Sequence, residues 1–280
     1  MTTSPPSDKN TGWRLYLQTV WARAYPRVMG QQRERSWVFF EIFLPLLSVA
    51  AYVFVYRAIH APEAFVGFVI IGGAMSAFWL NVLWSMSSQL YWEKETGNLA
   101  LYIIAPNSMM AILLGMAFGG IVTTCLRAFA IMALGSILFQ VQYTVTNFAL
   151  LAAVFVLAMV ALYGLGMMFA SLFLLLGREA WHLSNLAQEP VYLLSGMYFP
   201  IKSLNFWVAA GASIIPLTLA LDAMRQLAFA SGASFGFLSV EVEVGILLFL
   251  CVLFLVAARF LLGYMERLAI REGRLTESRR

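Results

Sequence analysis

The sequence predicts an all-α integral membrane protein with six membrane-spanning helices. Of its 280 residues, 61% are hydrophobic and only 11% are charged, whereas a soluble domain carries about 25% charged residues. The apolar residues fall into long runs, and a helix rising about 1.5 Å per residue needs such runs to cross a core about 30 Å thick. The predicted spans are residues 36–58, 64–90, 109–138, 146–176, 183–199 and 243–264. Residues 1–35 form a cytoplasmic tail and an interfacial amphipathic helix, and residues 36–280 form the transmembrane domain.

The predicted interfacial helix precedes the first span, at residues 13–29. Trp13, Leu17, Val20 and Trp21 fall on one helical face, and arginines are interleaved with them. Aromatic residues mixed with arginines favour a helix lying in the membrane interface, with the arginines near anionic lipid. An ordinary soluble cytoplasmic helix is the alternative.

The distribution of basic residues predicts the orientation. Most of the 18 Lys and Arg residues lie near the two termini or in the loops on the same side. The opposite loops hold Arg57, Lys202 and Arg225. The positive-inside rule then places both termini in the cytoplasm. We expect a multi-pass protein of the plasma membrane, which in a bacterium is the inner membrane.

A charged, turn-forming patch follows the second span. Its members are Glu93, Lys94, Glu95, Thr96 and Gly97. An amphipathic run and Pro106 come next, and this order is typical of a short helix on the cytoplasmic membrane surface whose polar side is open to a soluble partner. A solvated loop would carry the same charges.

Polar residues inside the second span form a stripe. Asn81, Ser85 and Ser88 are spaced i, i+4, i+7, which puts them on one helical face in the cytoplasmic half. The stripe fits helix–helix hydrogen bonding, and it equally fits the wall of a solvated translocation path.

Two glutamates also lie within predicted spans, where charges are costly and point to function. By helical rise, Glu41 and Glu189 lie at a similar depth from the cytoplasmic side. Both are candidates for the translocation path. For Glu41, an ion pair with Arg33 or Arg35 is the alternative.

Arg127 lies in the third predicted span, by helical rise in its outer half. At that depth we do not expect it to pair with either glutamate. Either a structural tie to the outer hairpin, for example to Asp222, or contact with substrate would account for it.

After the fifth span, the apolar residues 200–232 are broken by Pro200 and Pro216. They predict a re-entrant hairpin in the outer leaflet, which would serve as an outer gate. Pro216 blocks helix continuation, and Asp222 and Arg225 are spaced to pair on the second helix. We expect the backbone breaks to hold the hairpin more than this ion pair does.

The sequence shows no catalytic cluster. His60 and His182 fall on opposite sides of the predicted membrane, and H-E-x-x-H does not occur. GMYFPIKS at residues 196–203 approaches a phosphate-binding loop, but Ile201 stands where the second glycine belongs. We predict that the chain is not itself catalytic and binds no ATP, metal or nucleic acid.

Several short motifs carry a family resemblance. They are WEKETG at 92–97, APNS at 105–108, SGMYFP at 195–200, IPLT at 215–218 and DAMR at 222–225. In this order and spacing, with six spans and a basic N-terminal helix, the chain resembles the permease subunit of ABC-2 type transporters. That family includes drug, antibiotic, lipid and polysaccharide exporters.

The resemblance implies a homodimer of permeases and a separate ABC ATPase that binds ATP and Mg. Residues 93–97 would be the coupling helix seated in a groove of the ATPase, and the loop with Arg178 and Glu179 a second contact. The importer signature E-A-A-x-x-x-G is missing, because Trp181 and Asn185 interrupt it. The resemblance therefore favours export of an amphipathic, lipid-like, drug or glycan substrate.

A stand-alone ion-coupled transporter or channel is the alternative function. It would use Glu41 and Glu189 as a proton path, and it predicts inverted repeats with broken helices in both halves. The sequence shows one proline-interrupted hairpin and no clear inverted repeat. A membrane-bound transferase would need a catalytic cluster at one interface, which the sequence does not show.

Overall fold

The computed structural model describes residues 11–33, 35–104, 108–176 and 179–272, and these residues form helices without any strand. The helices are α1 (Thr11–Arg33), α2 (Arg35–Ala58), α3 (Ala64–Leu80, continued by a π-helical segment, Asn81–Met86), α4 (Gln89–Glu95), α5 (Asn98–Ile104), α6 (Met109–Phe139), α7 (Phe148–Leu176), α8 (Glu179–Leu194), α9 (Phe206–Ala212), α10 (Pro216–Ala228), α11 (Gly232–Phe235) and α12 (Val240–Glu272). The chain is therefore all-α over its described part, as the sequence predicts.

Five of the described helical stretches are long and apolar enough to cross a membrane. They are α2, α3 with its continuation through α4, α6, most of α7 and most of α12. The helices α9 and α10 meet at 109° and together would make a sixth span if the bent pair counts as one. The chain is thus a multi-pass membrane protein.

The predicted fifth span differs from the structure. Helix α8 has 16 residues, about 24 Å at the helical rise, which is less than a core of about 30 Å. The prediction continued to residue 199 because residues 195–199 are apolar. In the structure Gly196 has φ +70, a left-handed backbone that ends helical geometry.

The loops that connect the helices lie at the two ends of the bundle. We call the end with the α4–α5 turn the loop end, and the end with the bent pair α9–α10 the hairpin end. Helices α2 and α6 both finish at the hairpin end, where Arg57 Nη2 lies 3.5 Å from the main-chain oxygen of Phe139. Tyr56 donates to the main-chain oxygen of Tyr198 at 2.7 Å there, which ties α2 to the segment after α8.

Helix α3 is the centre of the bundle. In its most apolar window 89% of residues are buried, against 11% for α2. Small residues permit this packing, since a Cβ at Gly72 would overlap the main-chain oxygen of Met197 and one at Gly73 would overlap Val49. The peripheral α2 therefore presents most of its apolar surface outward.

At the loop end, α6 extends beyond α2. Helix α6 is about 46 Å long and α2 about 36 Å at the helical rise. Because the two are level at the hairpin end, α6 reaches about 10 Å further at the loop end. Helix α1 packs on α6 along and below this extension, with Val20 against Gly115 and Ala24 against Gly119.

Candidate functional site

The tip of the loop end is a polar turn between α4 and α5. Thr96 donates its hydroxyl to the main-chain oxygen of Trp92 at 2.9 Å and so caps the end of α4. Gly97 follows with φ +78, the left-handed conformation with which helices commonly end. Glu95, Thr96, Gly97 and Asn98 are exposed, and Lys94 is half-buried. These groups are open to a soluble partner.

Glu93 points the other way. Its side chain is nearly buried, and Oε1 accepts from Arg23 Nη2 at 3.0 Å and from Gln89 Nε2 at 3.1 Å. Its Oε2 accepts from the hydroxyl of Tyr102 at 2.8 Å, and the Arg23 guanidinium lies over the Tyr102 ring. Glu93 therefore fastens α1, α4 and α5 together, whereas its neighbours in the predicted patch face outward. The predicted patch included Glu93 with these residues because they are adjacent in the sequence.

A second arginine joins α1 to the π-helical segment. Arg27 donates to Ser85 Oγ at 2.6 Å and to Gln89 Oε1 at 3.2 Å. Burial holds the pKa of the Arg27 guanidinium below its usual range, although an arginine stays charged in proteins. The glycines Gly115 and Gly119 admit α1 close enough for these bonds to form. The loop end is thus one connected polar cluster.

The outer face of α1 is aromatic. Trp13, Leu17, Trp21 and Tyr25 recur every four residues and are all exposed. Three of the four residues predicted to share a face are therefore outward, while Val20 is half-buried against α6. The helix has one face against the protein and one face free.

Trp181, near the start of α8, is the hub of an aromatic cluster. Its ring lies 5.6 Å from Trp84 and from Phe173, and about 6 Å from Tyr91 and Trp92. The cluster connects the π-helical segment, α4, α7 and α8. Sequence reasoning did not find it, although four of its five members lie beside the predicted coupling loops. Of the second predicted contact, Arg178 and the Glu179 side chain lie outside the described residues.

The polar stripe of the second span is bonded within the protein. Asn81 Oδ1 accepts from the Tyr163 hydroxyl at 2.9 Å, and Ser88 donates to the main-chain oxygen of Trp84 at 2.5 Å. With Ser85 accepting from Arg27, all three members have partners. The π-helical backbone over Asn81–Met86 also changes the angular spacing on which the predicted common face depends. Asn81 and Ser85 therefore bond to other helices, whereas Ser88 bonds within its own helical turn.

The expectation that Arg127 pairs with neither glutamate is wrong. Arg127 Nη1 lies 2.5 Å from Glu41 Oε2, so neither Arg33, Arg35 nor Asp222 is the partner. The error came from measuring depth from the start of each helix. Counted from the hairpin end, where α2 and α6 are level, Glu41 and Arg127 lie about 24 and 18 Å along their helices. Long side chains bridge that offset.

A cleft of about 450 Å³ opens between α2, α3, α8 and the segment after α8. Its lining is mixed, with apolar side chains and polar groups from serines, tyrosines, Gln188 and Glu189. Of the predicted path residues, the cleft contains Glu189 alone. Trp84 Nε1 donates to Gln188 Oε1 at 2.6 Å, so the aromatic cluster is bonded directly to a residue of the cleft wall.

At the hairpin end, Arg225 is fully buried and does not pair with Asp222. Its Nη1 donates to the main-chain oxygens of residues 196 and 199, and its Nη2 to those of residues 68 and 197. The predicted ion pair is wrong because three carbonyls of the segment after α8 and one of α3 take all four Nη hydrogens. Pro200 ends the same irregular segment, and Pro216 is the first residue of α10.

A sequence model described as ABC-2 type transporter matches residues 17–229, from α1 through α10 and into the residue after it. The chain belongs to the ABC-2 type transporter family. A search of curated proteins finds no significant match.

An ABC-2 membrane domain is the permease component of an ABC transporter, and members of the family work with an ABC ATPase subunit. The match contains every described residue of the polar turn, the aromatic cluster and the cleft. It ends before α12, the last helix of the fold.

Proposed function

We propose that this ABC-2 permease is the transmembrane subunit of an ATP-driven exporter, and that its loop end takes up force from a separate ABC ATPase that binds ATP and Mg. The family match carries the proposal. The exposed turn supports it, because Lys94, Glu95, Thr96 and Gly97 present charge and backbone polarity at the tip of the molecule. A patch of that kind suits a groove on a soluble partner.

Force on this turn has a direct route inward. Helix α4 continues from α3, which is the most buried of the candidate membrane spans, so displacement of the turn moves the centre of the bundle. Glu93 makes α1 and α5 move with it through its bonds to Arg23 and Tyr102. Glu93 is then a positioning residue for coupling, and the exposed neighbours make the contact. Arg178 and Glu179 would add a second contact, just before the Trp181 hub.

The cleft is our candidate for part of the translocation path. Its mixture of apolar walls and hydroxyl groups suits an amphipathic, lipid-like, drug or glycan substrate. The outward apolar surface of α2 beside it fits a second copy of this chain, which would enclose the cleft in a homodimer. In this arrangement Glu189 contacts the path, while Glu41 anchors Arg127 rather than conducting protons.

The remaining assignments follow from the same orientation. Both termini and the loop end would be cytoplasmic in the plasma membrane of the cell, and the aromatic face of α1 would contact lipid headgroups. The bent pair α9–α10 would be a re-entrant outer gate, held by Arg225, with Pro200 before it and Pro216 at the break between its two helices. Asp222 would fix the gate to the loop that follows it.

Charge reversal at the turn tests the ATPase contact. In the double variant Lys94→Glu with Glu95→Lys, we expect the permease to insert and unfold at the wild-type temperature but to lose co-purification with its ATPase. Lys202→Glu reverses an exposed charge at the hairpin end and should retain the ATPase. Wild-type retention in the double variant would overturn the assignment of the turn.

Labelling of single cysteines tests the orientation. In intact cells a membrane-impermeant reagent should modify cysteines introduced at Asn205 or Ser234, which are exposed at the hairpin end. A cysteine at Thr96 should be labelled only after the cells are broken. The opposite pattern would place the coupling turn outside and exclude contact with a cytoplasmic ATPase.

A further inference from the structure

Two carboxyl groups are buried together at the hairpin end. Asp222 of α10 is 3% exposed, and Glu243 in the first turns of α12 is 0% exposed. The two side chains are neighbours, because Gln226 Nε2 lies 3.1 Å from Asp222 Oδ2 and 3.4 Å from Glu243 Oε2. Neither the exposed coupling turn nor the cleft includes Glu243, and it lies beyond the residues that the family model matches.

The donors around this pair are too few for two carboxylates. Asp222 Oδ2 accepts from the Phe237 main-chain N–H at 2.7 Å and from Gln226 Nε2 at 3.1 Å. The same Gln226 nitrogen faces the main-chain oxygen of Leu238 at 2.8 Å and Glu243 Oε2 at 3.4 Å. An amide nitrogen has two hydrogens for these three acceptors. Glu243 Oε1 is buried with no partner at all.

The neighbouring cations do not neutralise Glu243. Arg225 attracts Asp222 electrostatically but donates its four Nη hydrogens to main-chain oxygens. Lys202 is exposed and donates to the main-chain oxygen of Ser234. On α12 the nearby Glu241 is exposed and adds negative charge. Among the described residues, the favourable charge therefore acts on Asp222 and leaves Glu243 uncompensated.

We propose that Asp222 and Glu243 bind one proton between them, held as a Glu243 carboxylic acid that donates to the Asp222 carboxylate. A proton turns one acceptor oxygen of Glu243 into a donor and gives Asp222 a further hydrogen bond. It also removes the repulsion between two adjacent carboxylates, which cannot both ionise readily in a buried site. Asp222 keeps the charge because Arg225 and two donors stabilise it.

The bound proton joins the bent helix pair to the last span. Asp222 and Gln226 of α10 hold the segment at residues 236–239, which leads directly into α12. Gly232 and Gly236 let this segment pass close to α10, since a Cβ at either would overlap Arg225 or Gln226. Loss of the proton to solvent would set two negative charges between α10 and α12 and push the start of α12 outward.

Infrared spectroscopy of the purified permease tests the proton directly. A pH titration should reveal the C=O stretch of a buried protonated carboxyl group at neutral pH. That band should be lost in Glu243→Gln and kept in the matched control Glu241→Gln. The measurement needs no ATPase and no substrate, so its outcome is independent of the proposed transport function. Absence of the band in wild type, or its survival in Glu243→Gln, would overturn the proposal.

Thermal unfolding gives a second readout. A group that holds its proton more tightly in the folded state makes the fold less stable as pH rises. From about pH 6 to about pH 9, the melting temperature of wild type should fall by about 4 °C or more relative to Glu243→Gln, whose amide donates to Asp222 at any pH. Glu241→Gln should follow wild type. Equal pH profiles for wild type and Glu243→Gln, or stabilisation of wild type by Na⁺ or Ca²⁺ in place of acid, would show that no proton is shared.

Discussion

At the loop end, Glu93 accepts hydrogen bonds from side chains of α1, α4 and α5, whereas at the hairpin end Arg225 donates to four main-chain oxygens of α3 and the segment after α8. Bonds between side chains can be exchanged when a helix rotates or a partner supplies a competing charge. Bonds from one buried guanidinium to main-chain oxygens fix the backbone itself. The loop end is therefore built to move as a connected group, and the hairpin end to hold one backbone path.

Substitution of a glycine that packs against the hairpin end is expected to cause the largest loss of stability. In Gly72→Ala the new Cβ would overlap the Met197 main chain, which Arg225 holds in place, so α3 and the segment after α8 must separate. We expect a loss of several kcal/mol, enough to abolish a monodisperse folded protein. Size-exclusion chromatography and thermal unfolding in detergent would measure it.

Gly263→Ala is the matched control, because a Cβ there meets nothing within 4 Å. It should be neutral or stabilising by up to about 1 kcal/mol, since alanine favours a helix. Equal stability of the two variants would show that the segment after α8 can move away from α3.

Removal of the buried Arg225 guanidinium should cause the second-largest loss of stability. Arg225→Met leaves buried main-chain oxygens without donors, and we expect about 3–5 kcal/mol of destabilisation. Lys202→Met removes an exposed cation that bonds one main-chain oxygen and should cost less than about 1 kcal/mol. The comparison of melting temperatures checks both. A small loss of stability in Arg225→Met would mean that other groups donate to these carbonyls.

Side-chain contacts at the loop end should contribute less to the free energy of unfolding, and their contributions should be coupled. In a double-mutant cycle, Arg23→Ala and Glu93→Ala should each destabilise, and the pair should be coupled by about 1 kcal/mol. Tyr102→Phe should reproduce only part of the Glu93 loss, because it removes one of three donors. Strict additivity of Arg23→Ala and Glu93→Ala would mean that α1 is held by its contact with α6 alone.

The smallest effect is expected at Pro216. The sequence suggested that this proline holds the hairpin by breaking a helix, but it is the first residue of α10, where its missing N–H costs nothing. Pro216→Ala should change stability by less than about 1 kcal/mol. Asp222→Leu removes the acceptor of the Phe237 N–H and should cost more. A large loss for Pro216→Ala would restore the backbone break as the main restraint.

The sequence alone determined the properties that belong to single helices. Composition and run length predicted the membrane helices, and the breaks at Gly97 and Pro216 predicted where short helices end and begin. The family resemblance was also available from local motifs, and the match over residues 17–229 confirms it. All of these are local signals, because helix length and termination depend on nearby residues.

Tertiary structure decided every pairing between helices. The Glu93 side chain points into the protein, and Arg127 forms an ion pair with Glu41. Arg225 donates to main-chain oxygens, and Trp181 contacts aromatic rings from distant segments. Periodicity gives the face of one helix, but the sliding and rotation of one helix against another depend on packing. Here Gly72, Gly115 and Gly119 set those distances, and the π-helical turn at Asn81–Met86 shifted the faces. The partners of buried charges follow from these relative positions, which no spacing along the chain encodes.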